Sequence, residues 1–155
     1  MNFFKEAEEI LNNYPKLVTA LSNLKKRKVR LLQKNAPSSV ISAGLLKLST
    51  DSVHVTDTIG EMVELANTVA NISITENKVE EIEMLISKLS KEERNIIKFW
   101  YFEKLSKDEI LIKLNMTNKS SLYKKRNKAV GDFAVFYYGA AALNWFLEEK
   151  THNNL

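Results

Sequence analysis

The sequence predicts an all-α protein, and three observations carry that prediction. Gly and Pro are scarce, four and two in 155 residues, and only the Ser/Thr-rich stretch from Asn35 to Asp57 gathers breakers into a loop-like run. Elsewhere apolar residues recur every three or four positions, the period of a helix face. Three Ser-x-x-Glu tetrads, starting at Ser73, Ser90 and Ser106, each precede such a periodic stretch. In a capping box the hydroxyl accepts from an orphan backbone N–H, and the Glu carboxylate accepts from the N–H of the cap residue itself.

Composition narrows the class. Hydrophobic residues make up 45% and charged ones 27%, enough of each for a core and a solvated surface. There is no Cys, which removes disulfides and thiolate metal sites and fits a reducing compartment. Glu6 comes too early for a signal peptide. The longest apolar stretch, Phe133 to Leu147, is interrupted by Asn144 and falls short of the roughly 20 residues that span a bilayer. A soluble, cytoplasmic chain without a membrane partner is expected.

The first helix is expected over residues 2–13, with Phe3, Phe4, Ala7, Ile10 and Leu11 on one side. Pro15 disfavours helix at Tyr14 and suits a first helical position, so a second helix should start there. It runs through Leu17, Leu21 and Leu24 to Leu31 or Leu32. Its basic run, Lys25-Lys26-Arg27-Lys28, reads as a solvated face, with DNA contact as the alternative. The helical pattern fails at Asn35 to Ser39, and residues 35–57 read as a loop.

Past the loop, Ser73 should cap a helix carrying Val79, Ile82, Leu85, Ile86 and Leu89. Ser90 should cap one carrying Ile96, Ile97, Trp100 and Tyr101. Ser106 should cap a short one carrying Ile110, Leu111 and Leu114. The turn Asn115-Met116-Thr117 then supplies a residue tolerant of positive φ, an apolar plug and an N-cap. The expected organisation is an N-terminal helical region (1–57), a helix-turn-helix domain (58–139) and a helical tail (140–155).

A helix-turn-helix needs a compact first helix, a tight turn and a two-faced second helix that lies in the major groove. The segment after Thr117 fits. With Leu122 at 0° and about 100° per residue, Ala129, Val130, Phe133, Phe136 and Tyr137 fall within about 80° of it. Ser120, Ser121, Lys124, Asn127 and Lys128 fall on the opposite side, where hydroxyls, an amide and ammoniums suit base edges and phosphates. Lys119, Tyr123 and Lys125 flank them. The net charge of +4 is concentrated here, since no acid lies between Thr117 and Val130. Arg126 falls on the inward edge and is expected to pair with Glu109.

Catalytic chemistry is missing. His54 and His152 lack partners at metal-ligand spacing, the glycines are isolated and no Ser sits in a nucleophile motif. Neither an enzyme nor a bound metal or cofactor is expected.

The stretches Leu89–Ile97, Leu105–Ile110, Leu114–Thr117 and Arg126–Val130 resemble region four of sigma factors. The chain is more similar still to the small phage and prophage regulators of the ArpU type, in which a Tyr-Gly pair such as Tyr138-Gly139 also follows the last helix. The resemblance spans residues 73–139, and more loosely the helix from Tyr14 to Arg30. It implies a sigma-region-four-like helix-turn-helix in a transcriptional regulator of a bacterium or its phage. Such a regulator binds double-stranded DNA, here with a recognition helix over about 118–131 in the major groove. A sigma-like factor or co-activator working with RNA polymerase, and a small-terminase-like packaging protein, are the alternatives. The chain departs from the sigma pattern in a recognition helix one residue longer between Thr117 and Ala129. The tail beyond Gly139 is also outside it, and its apolar segment Ala140 to Leu147 reads as packing on the N-terminal helices or as a homodimer surface.

Overall fold

The computed structural model describes residues 1–35 and 52–152. Among them there is no strand. The elements are α1 (Phe3–Asn35), α2 (Ser52–Lys88), α3 (Lys91–Ile97) continued by a π-helical turn (Lys98–Phe102), α4 (Lys107–Lys113), α5 (Lys119–Tyr138) and α6 (Ala140–His152). The fold is all-α.

Two expected boundaries are absent. Pro15 lies inside α1, although an interior proline costs about 3 kcal/mol. Packing outweighs that penalty. Leu11 is fully buried, and Tyr14 and Leu17 pack on the same core. The Tyr14 hydroxyl donates to Glu83 at 2.7 Å, and its ring lies 4.5 Å from that of Phe102. The second missing boundary is the end of the expected loop. Residues 36–51 lie outside the described residues, but 52–57 are helical and open α2. No Gly or Pro follows Gly44 until Gly60, so the Ser/Thr-rich composition there holds no breaker.

Of the three tetrads, two cap. Ser90 and Ser106 have extended backbones, accept from the N–H of Glu93 and Glu109, and donate their own N–H groups to those carboxylates. Ser73 lies in the middle of α2. Its upstream residues are already helical, so its N–H belongs to an i−4 bond and leaves nothing to cap. Glu76 pairs instead with Lys25 of α1.

The chain divides into two compact units, residues 1–17 with 79–155, and residues 18–78. The first holds the main core, in which Ala7 and Leu11 of α1 meet Ile82, Ile97, Tyr101, Ala129, Val130 and Phe133. A smaller cluster of Ile110, Leu111 and Leu122, closed by Phe99, Trp100, Leu105, Leu114 and Met116, joins α4 to α5. In the second unit three ion pairs tie α1 to α2: Lys25–Glu76, Arg27–Glu64 and Lys34–Glu61. The basic run thus spends two of its charges within the chain, while remaining about half exposed.

Candidate nucleic-acid interface

The geometry begins at Ser106. Its N–H donates to Glu109 at 2.8 Å and its Oγ accepts from the Glu109 N–H at 3.3 Å. These bonds hold the Glu109 carboxyl below its ordinary range, the backbone N–H having the larger effect. The helix so capped lasts seven residues. At its end the N–H of Met116 returns to the Leu111 carbonyl at 2.9 Å and that of Asn115 to Ile112 at 3.2 Å. Asn115 adopts φ 51, the left-handed conformation that Asn tolerates and β-branched residues resist. Met116 plugs the small cluster.

The N-cap of α5 is Asn118, one residue beyond the expected Thr117. Its side chain accepts from the Ser120 N–H at 2.7 Å. Met116 is still bonded back to α4, so the chain becomes extended only afterwards, and the cap moves on by one.

Along α5, Leu122, Ala129, Val130 and Phe133 are fully buried, as the wheel predicts. Phe136 departs from it and is 44% exposed, while Ala134 is fully buried. After Gly139, at φ 68, α6 folds back against the Gly131 side of α5, and Phe146 lies there 3.8 Å from where a Gly131 Cβ would be. The last turns of α5 therefore bury a different side, and only its N-terminal half keeps an open outer face.

That face brings the expected residues together. Ser120, Lys124, Asn127 and Lys128 are exposed, and Ser121 is half-buried. Lys124 has no hydrogen-bond or ion-pair partner among the described residues. The other three lysines are paired: Lys119 with Asp108 at 2.8 Å, Lys125 with Glu92, and Lys128 with Glu93 and with Asp132 at 2.6 Å. The Tyr123 ring stands edge-on to Trp100 at 5.3 Å. Asp132 and Glu93 together push the Lys128 ammonium up. Burial alone would raise the Glu93 carboxyl, but hydrogen bonds from Lys128 and from the Ser90 N–H and hydroxyl reverse this and hold it at about 2.

Arg126 points inward, but its partner is not Glu109, which caps Ser106. The guanidinium pairs with Glu8 of α1. It lies 5.3, 5.1 and 5.7 Å from the ring centroids of Phe4, Trp100 and Tyr101. Glu8 also accepts from the Tyr101 hydroxyl at 2.8 Å. Burial lowers the pKa of Arg126, and its Nε is buried without a hydrogen-bond partner. One terminal nitrogen reaches back out to donate to Asn127 at 2.8 Å, which links this buried group to the outer face.

No family model, curated protein or solved structure matches the chain.

Sequence reasoning missed the acids around the face. Asp132 was visible as the i+4 neighbour of Lys128, but Glu92, Glu93 and Asp108 come from other helices and leave no local signal. Glu8 was missed for the same reason. The tail also resolves at this level. Ala142 is fully buried, and Trp145 meets Phe3 of α1 edge to face at 6.3 Å, so α6 packs on the chain's own N-terminal helix and leaves Leu143 and Leu147 exposed. Among the described residues no His, Asp and Glu cluster could hold a metal ion, and no helix is long and apolar enough to cross a membrane. The side chains of His54 and His152 lie outside the described residues.

Proposed function

We propose that the chain is a sequence-specific transcriptional regulator that binds double-stranded DNA with the N-terminal half of α5 in the major groove. One observation carries this reading. A short capped helix and a left-handed turn deliver α5 with its inner side locked in two apolar clusters, and its outer side offers Ser120, Lys124, Asn127 and Lys128 together. Hydroxyl and amide groups read base edges, and ammoniums hold phosphates. The ion pairs of Lys119, Lys125 and Lys128 do not oppose this. Exposed pairs contribute about 0–1 kcal/mol each, so a phosphate can displace the carboxylate. The resemblance to phage and prophage regulators points the same way, and such a protein acts in the bacterial cytoplasm.

Lys124→Ala is the clean test, because it removes no bond among the described residues and should change stability by less than about 0.5 kcal/mol. Binding to a selected DNA site should weaken, and the slope of log affinity against log salt should flatten by about one unit for the lost phosphate contact. An unchanged slope and affinity would place the DNA face elsewhere.

A further inference from the structure

In the second unit the polarity of α2 is inverted. Between residues 58 and 77 its charged side chains are Glu61, Glu64 and Glu76, and all three pair with α1. With Ile59 at 0° and about 100° per residue, these acids fall between about 140° and 260°, together with Leu65, Thr68 and Ile72. The opposite side holds Ile59, Met62, Val63, Ala66, Val69, Ala70, Ser73, Ile74 and Asn77, all within about 80° of Ile59, and exposed Asn67 marks one edge of it. Every one of those nine is exposed, and the five large apolar ones are between 42% and 68% exposed. Solvent therefore meets an uncharged stripe, while the carboxylates face the neighbouring helix. A helix that is apolar on the side away from its partner has a further surface to bury.

The pattern specifies the occupant. Ile59, Met62, Ala66, Val69 and Ser73 follow the alternating three- and four-residue spacing with which one helix packs along another. The stripe runs for about 28 Å. Its lack of any Lys or Arg gives a polyanion nothing to hold. The polar side of α2 carries Glu61, Glu64 and Glu76 with no Lys or Arg between 58 and 77, unlike the Lys- and Arg-rich polar side of a helix that lies in a membrane interface. An identical stripe matches it in length, in spacing and in lack of charge, and a two-fold interface requires a self-complementary surface of that kind. Ala66 and Ala70 at its centre permit close approach of two backbones. We infer that this face of α2 is the interface with a second copy of the chain, joined by helix pairing over residues 59–77. The inference stands independently of the DNA reading, although two recognition helices held by one dimer would suit a palindromic operator.

Met62→Glu combined with Val69→Glu tests it, without DNA. Both residues are exposed in the single chain, so the substitutions leave its packing intact. In sedimentation equilibrium at tens of micromolar, the unaltered protein should have twice the mass of the 155-residue chain. The double variant should have the mass of one chain, with its far-ultraviolet helical signal retained to within about a tenth. Single-chain mass for the unaltered protein at every concentration would overturn the inference, as would persistence of the dimer in the variant. Loss of helical signal at constant single-chain mass would also overturn it, since the stripe would then be covered by the chain itself.

Discussion

Arg126 shows what a single residue's place on a helix can and cannot reveal. Its wheel position, about 40° from Leu122, placed it on the inner side of α5, where the structure has it, although it sits in the most basic run of the chain. Its partner was illegible. Glu109 was the nearby acid, but in the structure its carboxylate caps Ser106, and the acid that meets Arg126 is Glu8. Glu8 comes from the far end of the sequence and reaches Arg126 only because α1 lies in the core. The group is partly buried, with 16% of the Arg126 side chain and 23% of the Glu8 side chain exposed. Removing one partner thus leaves a poorly solvated charge. Arg126→Met should lower unfolding free energy in urea by about 2–3 kcal/mol, below the range for fully buried pairs because of this exposure. Adding Glu8→Gln should recover part of that loss, because no carboxylate is then stranded. If Arg126 were a DNA contact, Arg126→Met would leave stability intact and weaken binding alone.

At the scale of elements, local chemistry was legible wherever the chain leaves a helix, and misleading where it does not. The tetrads at Ser90 and Ser106 succeed because an extended residue precedes each helix. The one at Ser73 has the same letters in a backbone that never leaves the helix. Pro15 is the converse case, a real breaker overridden because the residues on either side are anchored in the core. The cap of α5 was misplaced by one residue, since the sequence does not show that the Met116 N–H still bonds to α4. The paired tetrads give a controlled comparison. Ser90→Ala should cost about 1 kcal/mol, the usual loss for an N-cap, and more if Glu93 is disturbed with it. Ser73→Ala should be neutral or slightly stabilising, because an exposed interior position favours Ala. Thermal unfolding of the two variants side by side decides this, and equal losses would contradict the mid-helix placement of Ser73.

For the whole molecule, the all-α class followed from scarce breakers and helical spacing, and the outer face of α5 followed from its wheel. The inverted α2 was not legible, because an apolar helix face looks the same in sequence whether it meets the chain's own core or a partner. Burial distinguishes the two cases. In the first unit, α5 alone buries Leu122, Ala129, Val130, Phe133 and Ala134, whereas residues 58–78 bury only Thr68. Amide protection tracks such buried contacts. In a single chain, therefore, α2 between 58 and 78 has little beyond its surface ion pairs to resist opening. Pairing with a second copy would supply what is missing, and mass action makes that supply depend on concentration. Hydrogen exchange followed by mass spectrometry should show protection of residues 58–78 rising by up to about threefold for each tenfold rise in protein concentration, because free monomer grows as the square root of the total, with α5 unaffected. Slow exchange of both segments at every concentration would mean that α2 draws its stability from within one chain.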